Sequence, residues 1–145
     1  MLANHDINLS RYIDGCRERP FVWGEHDCLM FVSDCIAAQT GLKPLSDMLG
    51  QYTCPTTAMA FAKKKIKQFD YPKAITIVQA LDQRLNRIST QYPPRGSITA
   101  KKVEQAESVT GYILGVVLRR QSAFVSEGGM VFIERSAKDI FWSVE

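Results

Sequence analysis

Apolar residues recur at helical spacing along residues 8–17, where Leu9, Tyr12, Ile13 and Cys16 share one face. Pro20 reads as the stop of that helix. An aromatic loop, Pro20-Phe21-Val22-Trp23-Gly24, comes next, and Glu25-His26-Asp27 leads into the most apolar helix of the chain. That helix is predicted from Cys28 to about Thr40, with Asp27 as its N-cap and Gly41 as its C-cap. Cys28, Leu29, Phe31, Val32, Cys35, Ile36 and Ala37 cover more than half of its circumference, the signature of a buried central helix. Residues 42–54 read as a connector holding Tyr52. A further helix is predicted from Thr56 or Thr57 to about Gln68, with Ala58, Phe61, Ala62 and Ile66 inward. Another runs from about Lys73 to Asn86 on Ile77, Val78, Leu81 and Leu85.

The period changes at Tyr92-Pro93-Pro94-Arg95-Gly96. Beyond it the pattern predicts strands over Ser97–Val103, Tyr112–Leu118, Ala123–Val125, Met130–Ile133 and Ile140–Val144, with Glu127-Gly128-Gly129 as a turn. Helices first and an antiparallel sheet second is an α+β layout. The 145 residues suit a single core. The expected organisation is one domain over 1–145: an N-terminal helical arm (1–19), a helical half (20–91) and a β-meander (92–145).

Composition narrows the function classes. With 46% apolar and 23% charged residues the chain is not intrinsically disordered. It has no apolar stretch long enough to span a membrane, and its opening residues lack a signal-peptide core, so secretion is not expected. The net charge of +3 is a weak bias. The basic run Lys63-Lys64-Lys65 with Lys67 reads as a solvated helix face, and no nucleic-acid partner is expected. The four cysteines, Cys16, Cys28, Cys35 and Cys54, form no CxxC pair. Cys28 and Cys35 lie two helical turns, roughly 10 Å, apart, too far for a disulfide. A four-cysteine iron–sulfur or metal-binding role is a third-ranked alternative, because the close spacing such sites use is absent. No metal and no cofactor is assigned.

One constellation carries chemistry. Cys28 stands in the first turn of the buried helix, where unpaired N–H groups and the helix dipole favour a thiolate. The competing reading is a core thiol, since cysteine is among the most buried residue types. Trp23 and Tyr52 are candidate cleft residues or packing residues, and Asp27 is most simply the helix cap.

The segment Trp23-Gly24-Glu25-His26-Asp27-Cys28-Leu29-Met30-Phe31-Val32 resembles the W-G-x-x-D-C-x-x-F stretch of phage and prophage proteins related to the NlpC-type, papain-like cysteine peptidases. Pro94-Arg95-Gly96-Ser97-Ile98 resembles the P-R-G-D-V strand opening of that family, with Ser97 in place of aspartate. Ile113-Leu114-Gly115-Val116 resembles the H-V-G-I strand that carries the catalytic histidine, with Leu114 in its place. Ala123 to Met130 resembles the loop and strand before a closing tryptophan, here Trp142. The resemblance implies an NlpC/papain-like fold and Cys28 as the residue in the nucleophile's position.

It also implies a protein of the phage tail tip or baseplate, made in the host cytoplasm and carried in the virion, with tail hub and baseplate proteins as partners. The chain has two histidines, His5 and His26, neither in the strand half. A general base contributes about 10²–10⁴-fold to rate. The reading that follows is a degenerate peptidase fold serving a structural or assembly role. The alternative is an active amidase or peptidase cutting cell-wall peptidoglycan peptides during phage entry.

Overall fold

The computed structural model describes residues 1–22, 25–46, 77–102, 112–126 and 128–144. Trp23, Tyr52, Cys54, the helix expected from residue 56 and the Lys63–Lys67 run lie outside them.

Two helices open the chain. Helix α1 covers His5–Cys16 and turns Leu9, Ile13 and Cys16 inward, as their spacing predicts. It begins three residues before the predicted start and stops at Cys16, short of Pro20. Helix α2 covers Cys28–Thr40. Asp27 caps it: its backbone is extended and its Oδ1 accepts the Met30 N–H at 2.9 Å. Gly41 ends it in the left-handed region, φ +76°, and donates its N–H to the Ala37 carbonyl at 2.8 Å. The helices meet at Tyr12 and Phe31, whose rings stack with centroids 5.9 Å apart. Helix α3 covers Ile77–Asp82 among the described residues and buries Val78 and Leu81.

Among the described residues six strands form one antiparallel sheet: β1 (Asn86–Ile88), β2 (Ile98–Lys102), β3 (Tyr112–Val117), β4 (Gln121–Ser126), β5 (Gly129–Glu134) and β6 (Ile140–Ser143). Their spatial order is β1-β6-β2-β3-β4-β5. The fold is therefore α+β, as predicted. Strands β2 to β5 make the expected meander, but β6 returns to lie between β1 and β2. Strand β1 corrects the sequence reading, which continues the preceding helix to Asn86. The helix instead closes at its last turn, where the Leu81 carbonyl accepts the N–H of Arg84 and of Leu85. Asn86, Arg87 and Ile88 then pair with Ser143, Trp142 and Phe141. A cross-strand partner more than fifty residues away overrides the local helical period here.

One face of the sheet carries Ile98, Ala100, Leu114, Val116, Ala123, Val125 and Trp142 into a common core with α1, α2 and α3. Phe31 and Phe124 are fully buried, each contributing roughly 1.5–3 kcal/mol relative to an exposed ring. Trp142 is the closing core residue the sequence suggests, and its indole N–H donates to Asp82 at 2.8 Å, joining α3 to β6. The far end of α2 is fixed to the sheet by Gln39, whose side-chain amide donates to the carbonyls of Cys35 and Gly96 at 3.1 and 3.0 Å. Gly96 allows this approach. Its φ is +95°, and a Cβ there would stand 1.9 Å from Gln39 Oε1. Arg95 fastens α1 to the same corner through Asp6 at 3.2 Å and Ser10 at 2.6 Å.

Candidate functional site

The site is the head of α2 against β3. Val22 and His26 exchange backbone hydrogen bonds of 3.0 and 2.7 Å, closing a tight loop that delivers Asp27 to the capping position. Cys28 is then the first residue of the helix, partly buried and packed against the core. The backbone amides of Leu114, Leu29 and Cys28 itself act on its sulfur and favour the anion.

The Leu114 amide is free for this contact because of the ladder geometry. Val117 donates its N–H to Ser97 on the β2 side, so the N–H groups of Val116 and Leu114 point toward β4. The β3–β4 pairing runs only from Gly115↔Phe124 to Val117↔Ser122. The next rung would occupy Leu114; the ladder stops short of it, which leaves the amide to act on the Cys28 sulfur. The two positions that the sequence resemblance relates, Cys28 and Leu114, therefore meet in space.

The electrostatics run against a thiolate. Burial, with the neighbouring Asp27 carboxylate second, pushes the Cys28 thiol up to about 12, and the three amide donors only partly oppose that rise. A carboxylate directly beside the sulfur repels negative charge, and the side chain at position 114 is an apolar leucine, 2% exposed.

Both histidines are accounted for. His5 begins α1, with Nδ1 3.0 Å from the Leu2 carbonyl and Nε2 3.6 Å from Asp6. His26 is 1% exposed, and among the described residues neither ring nitrogen has a hydrogen-bond partner. Its pKa is lowered by burial and by Arg19, against the opposing pull of Asp27 and Asp34. Neither imidazole is among the groups acting on the Cys28 thiol. Among the described residues no group of His, Cys, Asp and Glu is arranged to hold a metal ion.

Asp27 thus acts as the cap that the sequence assigns to it. Trp23 and Tyr52 fall outside the described residues. A second polar cluster lies between α1 and α2 and escapes a sequence reading. The Tyr12 hydroxyl donates to Asp34 at 3.0 Å, and burial, the hydrogen bond with Cys16 and the Asp34 charge all raise its pKa. The only trace of it in the sequence is an aspartate inside an otherwise apolar helix; its partner lies 22 residues away. Cys16 and Cys35 sit beside it as buried thiols, both raised by burial.

A family profile described as a domain of unknown function, DUF6950, matches residues 1–144, and the chain belongs to that family. No curated protein and no solved structure matches the chain.

Proposed function

We propose that this DUF6950 chain is a structural or assembly protein of a bacteriophage tail tip or baseplate, built on a degenerate NlpC-like cysteine-peptidase fold. The observation that carries the reading is the environment of Cys28. Its thiol heads the central helix and meets the strand position where the resembled peptidases place a histidine. That position holds Leu114, which offers the sulfur only a backbone amide. A nucleophilic cysteine needs a nearby base or a depressed pKa. Here the pKa is raised to about 12, and neither histidine is among the groups that act on the thiol.

Keeping the scaffold while losing the base suits a protein that works by contact rather than by turnover. The partners on this reading are the tail hub and neighbouring baseplate proteins, and the protein resides in the virion.

Zymography on purified cell walls tests the reading, with Cys28→Ala as the comparison. Equal, background-level clearing by both proteins is the expected result. Clearing by the wild type that Cys28→Ala abolishes would establish the amidase instead. Co-purification of the chain with tail particles tests the location, and its absence from intact tails would remove the virion role.

A further inference from the structure

The sheet has two edges, and they differ in kind. At one end β1 is three residues long and carries Arg87, so it offers little to a further strand. At the other end β5 is six residues long and places Met130, Val131, Phe132 and Ile133 in succession, with Glu134 its only charge. It contains no proline and no lysine, the residues that most often protect an edge. Val131 is one of the exposed large apolar residues of the protein.

The hydrogen-bond phase of this edge is fixed. Arg135 donates its N–H to Arg120 on the β4 side, so the amides of Val131 and Ile133 also point toward β4. Met130, Phe132 and Glu134 therefore aim their N–H and C=O groups outward, at strand spacing. Among the described residues no strand pairs with that outer side.

We propose that β5 is a docking edge for the β5 strand of a second copy of this chain. The two strands pair antiparallel about a two-fold axis at Phe132. In that register Phe132 faces its own copy and exchanges both hydrogen bonds with it. Met130 faces Glu134 of the second copy, and Val131 faces its Ile133. Each inner position meets an apolar residue, and the lone carboxylate of each strand meets a methionine instead of its own like charge. Centring the pair on Glu134 would set carboxylate against carboxylate, which is destabilising. The strand is thus self-complementary, as a two-fold interface requires. The result is a continuous sheet running through both copies. It does not depend on the role assigned to Cys28.

The test uses the full chain in two measurements. Sedimentation from about 1 µM to about 1 mM reads association in the range a single-strand interface would occupy. Residue-resolved amide exchange at the two ends of that range reads the geometry. The expected result is a monomer–dimer equilibrium in which the Met130, Phe132 and Glu134 amides become protected at high concentration. The Val131 and Ile133 amides, already paired to β4, stay unchanged.

Val131→Lys removes the apolar contact with Ile133 twice over by symmetry and sets a charge on the edge. It should weaken the dimer about tenfold while leaving the thermal transition of the dilute monomer in place. A monomer throughout would overturn the proposal. So would a dimer without the alternating protection, or an assembly in which these amides are protected only by a different protein.

Discussion

The reactivity of Cys28 tests the inert-scaffold reading most directly. The perturbation is pH, with iodoacetamide as the probe and peptide mapping to follow the Cys28 peptide apart from the other three cysteines. An ordinary thiol, at 9.0, is about one-tenth thiolate at pH 8, whereas one at about 12 is ionised to roughly one part in ten thousand. The thiolate population is thus about a thousandfold smaller. Part of that deficit returns, because a more basic thiolate is the better nucleophile; a Brønsted slope of about 0.45 over three pH units restores about twentyfold. The net expectation is alkylation about fiftyfold slower than that of an unstructured cysteine peptide at pH 8. The rate should climb about tenfold per pH unit with no plateau up to the pH at which the protein unfolds. A plateau with an apparent pKa at or below 8 would refute the reasoning. It would mean that the amide cradle and the helix dipole outweigh burial and the Asp27 carboxylate.

Three further outcomes can be checked. Gly115→Ala puts a methyl group 2.3 Å from the Ala123 carbonyl oxygen and 2.5 Å from the Phe124 ring, so it should cost about 3 kcal/mol and lower the melting temperature by about 10 °C in a circular-dichroism melt. A loss under about 0.5 kcal/mol would show that the strands part freely at this point. Gln39→Ala removes the hydrogen bond from α2 to the Gly96 carbonyl, together with the one to Cys35 within the helix, and opens a buried gap, with an expected loss of roughly 2–4 kcal/mol in urea unfolding.

His26 governs an acid limb. Its folded pKa lies below the ordinary 6.5, so the unfolded chain binds the proton more readily, and its contribution to stability is complete above about pH 6.5 and falls as the pH drops toward the folded value. His26→Leu should flatten that limb in a stability–pH series; an unchanged slope would show that other groups set it.

Helix α2 was legible in the sequence because every local signal agrees. Asp27 and Gly41 mark its ends, and the apolar arc between them matches its burial. The strands of the meander were legible for the same reason, although Ala123–Val125 understates β4. Pairing on both sides extends that strand to Gln121–Ser126. Strand β1 was hidden because Asn86-Arg87-Ile88 has no strand period of its own and is defined by β6. The site divides in the same way. Cys28 and its cap can be read locally, but the amide of Leu114 is available only because a ladder ends one rung early. No residue pattern records where a ladder ends. The Tyr12–Asp34 bond was equally invisible, since nothing in either helix alone names the other.

The insertion of β6 between β1 and β2 bears on how the protein is made. Residues 98–134 can zip up as successive hairpins, each strand pairing with its neighbour in sequence. The slot beside β2 has to wait for Ile140–Ser143, and until then β1 has no ladder to join and Trp142 has not reached Asp82. Until that segment docks, β2 is a second open edge of the sheet. Chaperone binding should concentrate on that edge while it is open and vanish once Ile140–Ser143 has docked.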